Sequence, residues 1–228
     1  MCGRVFTKAT VDELLSAFSF AREGAEAVLG NFKPRYNGAP GQEFPIIVQE
    51  PDMPGAKFMR AWWGLIPSWM KQKPKPPPIN ARAETIATKG MFKSAYRSRR
   101  ALMPIDGFFE WKATKGEKIK QPYAIAMKDG SPFAVAAIWE KWRHPETGDE
   151  VKSFAVVTCP ANELMATIHD RMPVIVAEAD WARWLSDEPD PRDLLKPYPA
   201  DLMTMWPIST RVNSYKNDDP DLLDPLQV

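Results

Sequence analysis

The sequence predicts an α+β fold: one β-rich domain over residues 1–228, with a largely antiparallel, barrel-like sheet core and a few peripheral helices. Three observations lead there. Eight short runs rich in Val, Ile, Phe and Trp follow one another with little helical pattern between them, which favours antiparallel neighbours over crossover connections. The chain carries 23 prolines, and proline breaks long helices while fixing tight turns. Only three stretches place apolar residues at helical spacing.

The first helix opens with a capping box, Thr10-x-x-Glu13, and sets Val11, Leu14, Leu15 and Phe18 on one face. Strands follow at 44–49 and 58–65. The run Lys71 to Pro78 (KQKPKPPP) reads as a stiff surface loop, with a Pro-rich ligand for another domain as the second reading. Further strands fall at 102–111, 123–127, 133–142 and 154–158. A second helix runs from Asn162, its N-cap, to Ile168. After a strand at 174–177 comes a third helix carrying Trp181, Trp184 and Leu185, whose apolar stripe belongs to the core. A strand at 204–208 completes the sheet, and residues from about 214 form a peripheral tail.

Net charge is +1, which by itself does not point to a polyanion. Its distribution does: residues 56–120 hold 15 Lys and Arg against four acids, beside Trp62, Trp63, Trp69 and Trp111. That composition suits a groove for a polyanion with exposed bases, and equally an ordinary solvated surface. Cys2 and Cys159 form no disulfide framework, and no Cys/His cluster stands at zinc spacing, so no metal is expected. The start lacks a signal-peptide core and no apolar run is long enough to cross a bilayer, which predicts a cytoplasmic protein without membrane contact. No phosphate-binding glycine loop or dinucleotide fingerprint appears, so no cofactor is expected.

Cys2 carries distinctive chemistry. Methionine ahead of a small second residue is usually removed, which would leave a free α-amine and a thiol on adjacent carbons. Their unperturbed pKa values are about 7.7–8.0 and about 8.5, so reactive forms of both exist near neutrality. Such a pair suits an aldehyde: the amine condenses to an imine, the thiol adds to the imine carbon, and a five-membered thiazolidine closes. A ring-opened abasic site supplies that aldehyde.

Seven segments occur in order: Met1-Cys2-Gly3-Arg4, residues 35–40 (RYNGAP), 63–69 (WGLIPSW), 80–85 (NARAET), 104–111 (PIDGFFEW), 136–140 (AAIWE) and 168–173 (IHDRMP). Together they resemble the SRAP family, the SOS-response-associated peptidases that process abasic sites, over residues 1 to about 213. The resemblance implies that Cys2 forms a thiazolidine crosslink to an abasic site in single-stranded DNA. It implies that Asn80 orients Cys2 and that Glu110 and His169 serve as acid and base. It places Arg4, Arg82 and Arg171 on phosphates, Trp69 against a base or as a wedge at a single-strand/duplex junction, and Asn37 and Pro40 in the same DNA-binding set. Weak abasic-site lyase and N-terminal self-processing activities go with that assignment. So do a monomeric state and association with the nucleoid when DNA is bound.

From the residues alone each position keeps a second reading. Glu110 fits a solvent-facing strand position, His169 a helix cap, Asn80 a turn, and Arg82 and Arg171 structural ion pairs. Two other functions use the same groups. A thiol peptidase would employ Cys2, His169 and Asn80, and a non-covalent binder of single-stranded or modified DNA would need only the basic and aromatic residues.

Overall fold

Five strands close on themselves into a barrel, and a second five-stranded sheet shares its core. The computed structural model describes residues 2–50, 55–113, 116 and 119–226. In chain order the elements are β1 (Val5–Thr7), α1 (Val11–Ala17), α2 (Ala25–Leu29), β2 (Arg35–Gly38), β3 (Glu43–Val48), β4 (Lys57–Trp63) and β5 (Asn80–Arg82). Then come α3 (Lys93–Ser98), β6 (Arg100–Ile105), β7 (Gly107–Lys112), β8 (Gln121–Met127), β9 (Phe133–Arg143) and β10 (Glu150–Pro160). The last are β11 (Arg171–Pro173), β12 (Ile175–Val176), α4 (Trp181–Leu185) and β13 (Met203–Pro207).

The barrel runs β10-β4-β3-β6-β9 and back to β10; the other sheet runs β13-β8-β7-β1-β2. Pairing is antiparallel except where β10 lies parallel to β4 and to β5. The β-rich, barrel-like core expected from the sequence is therefore present. β6 and the first eight residues of β9 are buried at every position, which is why they read as continuous apolar runs rather than alternating ones. Trp63 stacks on Phe154 at 6.1 Å with Phe44 edge-on at 5.7 Å, and the Trp63 indole N–H donates to the Ile79 carbonyl. Fully burying a side chain such as Ile46 stabilises the fold by about 1.5–3 kcal/mol relative to leaving it exposed.

The expected strand 102–111 is in fact two strands in different sheets. The chain bends at Asp106-Gly107, where the buried Asp106 carboxylate accepts the Lys8 and Ala9 N–H groups and so ties in the approach to α1. Gly107 is required there: a Cβ would come within 2.2 Å of the Phe6 ring and 2.4 Å of the Ile125 carbonyl. The α1 capping box forms as read, with Thr10 and Glu13 bonded reciprocally. The segment 162–168 makes only a 3-10 turn over Met165–Thr167, although the Asn162 side chain does accept the Met165 N–H at 2.9 Å. Trp181, Trp184 and Leu185 are buried, as their spacing indicated.

The tail after 214 is mostly exposed but is tied to the fold at three points. Asp218 accepts the backbone N–H groups of Tyr36 and Asn37, Leu222 is fully buried, and Pro225 bridges to Ile208. Three basic side chains of the middle third are engaged by structural partners. Arg99 pairs with Glu140, Lys57 with Glu50, and Arg100 is buried among backbone carbonyls. Lys115, Glu117 and Lys118 of that third lie outside the described residues. Among the described residues no helix is long and apolar enough to cross a membrane.

Candidate functional site

Cys2 enters the fold directly ahead of β1 and is fully buried. β1 lies antiparallel to β7, with Val5 opposite Phe108, and the Phe109 N–H donates to the Arg4 carbonyl at 2.9 Å. That register brings the start of the chain alongside Glu110. From the opposite side comes Asn80, in β5, which is held by its parallel pairing to β10. The Asn80 Nδ2 donates to the Cys2 carbonyl at 2.8 Å, while its Oδ1 is buried with no partner among the described residues. Asn80 is thus a strand residue facing the cysteine, not a turn residue.

Glu110 is 6% exposed, so it does not face solvent as simple alternation allowed. His169 Nε2 stands 4.0 Å from Glu110 Oε1. The His169 Nδ1 accepts the Arg171 backbone N–H at 2.9 Å and also lies 3.0 Å from an Asp170 carboxylate oxygen. Both contacts cannot be hydrogen bonds of a neutral ring. The Asp170 side chain is 87% exposed, so the backbone bond is the one that sets the tautomer: the proton is assigned to Nε2, directed toward Glu110. Four ångströms is beyond a direct hydrogen bond, a spacing usual for catalytic pairs before substrate arrives. An open cleft of about 530 Å³ adjoins His169, lined also by Lys112, Pro160 and Thr167.

Burial pushes the Cys2 thiol up to about 12; the nearby Glu110 carboxylate adds to the rise, and a hydrogen bond from the Arg4 backbone opposes it. In this fold burial and the Glu110 carboxylate both favour the protonated thiol.

The arginines divide sharply. Arg4 Nη1 donates to Asn37 Oδ1 and to the Val212 carbonyl, both at 2.6 Å, and its guanidinium lies 5.7 Å from the Trp111 ring centre. Burial lowers its pKa, and all of those partners are uncharged. Arg171, by contrast, is gripped by both carboxylate oxygens of Glu84 and donates to the Thr158 carbonyl at 2.8 Å. That is the structural ion pair its second reading allowed. Arg82 is exposed in β5, next to Glu84. Trp69 is 63% exposed on the loop after β4, whereas most of the other tryptophans are core residues. Pro40 sits in the turn between β2 and β3. Asn37 is 1% exposed, and its amide nitrogen lies within 3.2 Å of the Val212, Ser214 and Asn217 carbonyls.

The structure thus brings Cys2, Arg4, Asn80, Glu110 and His169 together, and sets Arg82 and Arg171 on neighbouring strands flanking the end of β10. Sequence reasoning assigned no site role to Glu84 or Asn213, and Trp111 entered only as one of four tryptophans beside the basic residues. Glu84 and Trp111 stand within the quoted motifs, two residues after Arg82 and one after Glu110; Asn213 carried no signal in the sequence.

A β-barrel flanked by a second sheet, with a buried cysteine near the chain start, defines the class. The pattern of the SOS response associated peptidase (SRAP) family matches residues 1–215, and the chain belongs to that family. It is 38% identical over 229 residues to abasic site processing protein YoqW of Bacillus subtilis strain 168, covering 98% of this chain and 99% of that protein. Abasic site processing protein YedK of Escherichia coli K12 is 33% identical, covering 99% of this chain and 100% of that one. HMCES of Gallus gallus, also named an abasic site processing protein, is 29% identical over 87% of this chain and 68% of its own length. Among solved structures, a protein from Bacteroides thetaiotaomicron superposes with a TM-score of 0.87 at 25% identity, over 99% of this chain and all of that one.

Proposed function

We propose that the protein captures abasic sites in single-stranded DNA by forming a thiazolidine between Cys2 and the ring-opened sugar aldehyde. The observation that carries this reading is the placement of Asn80 on the Cys2 carbonyl with Glu110 and His169 facing one another beside it. Relatives along the whole chain are named abasic site processing proteins, which points to the same substrate.

Hydrolysis of the Met1–Cys2 peptide bond consumes one water and frees the α-amine; Met1 lies outside the described residues. The amine lone pair then adds to the aldehyde carbon to give a carbinolamine, with Glu110 accepting the ammonium proton. Glu110 returns that proton to the departing hydroxyl, which the His169 Nε2–H steadies by a hydrogen bond, and water leaves as the imine forms. The thiol sulfur adds to the imine carbon, and its proton passes through Glu110 to the nitrogen. Bond for bond, amine, thiol and aldehyde become thiazolidine plus one water. β-Elimination from the imine is the competing route and gives a weak lyase activity. Arg4 and Arg82 hold phosphates, Arg171 joins them once released from Glu84, and Trp69 stacks against a base or wedges a duplex junction.

A Cys-His-Asn peptidase is disfavoured by one observation. Such an enzyme uses its asparagine to orient the imidazole, whereas the Asn80 amide here is bonded to the Cys2 backbone. The test is a denaturing gel of the protein mixed with a single-stranded oligonucleotide bearing one abasic site. Wild type gives a heat-resistant shifted band, and Cys2→Ser and a Met1-retaining variant give none. Absence of the band with fully processed wild type overturns the reading.

A further inference from the structure

Arg4 is held by a clasp that the C-terminal segment closes. Its Nη1 bonds to Asn37 Oδ1 and the Val212 carbonyl, and among the described residues it has no carboxylate partner. The Asn37 amide nitrogen reaches three carbonyls of residues 212–217, while Asp218 accepts the Tyr36 and Asn37 backbone N–H groups. On the other face, Trp111 lies under the guanidinium, and its indole N–H donates to Asn213 Oδ1 at 2.7 Å. The same turn of chain therefore fixes both the edge and the face of one arginine.

A half-buried guanidinium held only by neutral oxygens and an aromatic ring keeps its full charge while losing part of its hydration. An anion meeting it is bound more strongly than at a solvated side chain. Asn37 is too deeply buried to touch a ligand itself. We propose that Asn37 and Asn213 are positioning residues that preset Arg4 for a DNA phosphate, Asn37 from beneath and Asn213 through Trp111. The C-terminal segment 212–218 is thereby a built part of the DNA site. This rests on the reading of Arg4 as a phosphate contact and corrects the expectation that Asn37 meets DNA directly.

Asn213 is exposed, so Asn213→Ala leaves the buried clasp intact and decides the question even where Asn37→Ala fails to fold. Anisotropy of an end-labelled single-stranded oligonucleotide without an abasic site is measured across a salt series, for wild type, Asn213→Ala, Arg4→Gln and the double variant. Asn213→Ala is expected to weaken binding about threefold to tenfold, the share of one hydrogen bond. The slope of log affinity against log salt becomes shallower by up to about 0.7, one phosphate's share on a single strand. Thermal melting stays that of wild type, and in the Arg4→Gln background the substitution adds nothing further. Wild-type affinity for Asn213→Ala, or an equal loss with and without Arg4, overturns the positioning role. Wild type that binds DNA but forms no crosslink overturns covalent capture alone; wild type that binds no DNA overturns both.

Discussion

Asn80 donates its side-chain N–H to the Cys2 carbonyl at 2.8 Å while its Oδ1 stays buried with no partner among the described residues. An unsatisfied buried acceptor costs about 1–3 kcal/mol. Its position beside the cysteine suits a donor that arrives later, such as the Cys2 ammonium freed by loss of Met1. Asn80→Ala is therefore expected to slow adduct formation about threefold to tenfold, one hydrogen bond's worth, while leaving the melting temperature unchanged or higher. Single-turnover gel kinetics with parallel melting curves check this. A melting loss with unchanged kinetics would make Asn80 an ordinary strand residue.

The Cys2 thiol responds to Glu110. Burial is the larger cause of its rise to about 12 and the carboxylate the second, so Glu110→Gln lowers the thiol pKa without ionising it at neutrality. Iodoacetamide alkylation of Cys2 near pH 9 should accelerate in Glu110→Gln, measured in a Cys159→Ala background because Cys159 is likewise pushed up to about 12 by burial. The stability consequence has a definite sign. A thiol with a raised folded pKa contributes stability in full below its unfolded value of about 8.5, and that contribution drains away as pH climbs toward about 12. Melting temperature should fall across that alkaline window, and less steeply once Cys159 is removed.

The sheet was legible from sequence, but the strands that build the site were not. β1, β2, β5 and β11 have three or four residues each, too few to show a period of two, and they carry or adjoin Arg4, Asn37, Asn80 and Arg171. These residues were found through motifs instead. Contacts between distant positions left no trace at all: Asn37 meets Val212 and Arg171 meets Glu84 only after the chain has folded. The Asp106-Gly107 bend did leave a trace, since Asp-Gly is a turn dipeptide, but the apolar runs on either side masked it. Arg100 misled in the other direction, because charge counting assigns an arginine to the surface and cannot see carbonyls converging on it from two helices.

Glu84 holds the guanidinium of Arg171, the side chain that the proposed function places on DNA. The Arg171 hydrogen bonds lower the Glu84 pKa, so the grip persists through the usual carboxylate range and is lost only as pH falls through the depressed value below it. Glu84→Gln removes the competing charge between Arg82 and Arg171. Affinity for single-stranded DNA at low salt is expected to rise a few-fold, with the log–log salt slope steeper by about 0.7 per phosphate gained. A salt series by anisotropy decides it. Weaker binding by Glu84→Gln would show that the carboxylate orients Arg171 for DNA instead of withholding it.

Arg100 joins two helix ends. From the start of β6 its guanidinium donates to the Tyr96 and Arg97 carbonyls at the end of α3, and to the Trp184, Ser186 and Glu188 carbonyls around the end of α4. Helix C-termini present unpaired carbonyls and partial negative charge, so one cation satisfies both at once. The side chain is 3% exposed, and removing it strands several buried acceptors. Arg100→Met should cost about 3 kcal/mol or more, at roughly 1.5–3 kcal/mol for each charge-assisted bond lost and partial recovery by water. Chemical denaturation measures the loss. Because the Arg100 guanidinium bonds to backbone carbonyls of α3 and the end of α4 and to none of the site residues, the fraction that remains folded should capture abasic DNA at the wild-type rate. A slowed rate in that folded fraction would mean that the α3–α4 junction is coupled to the site.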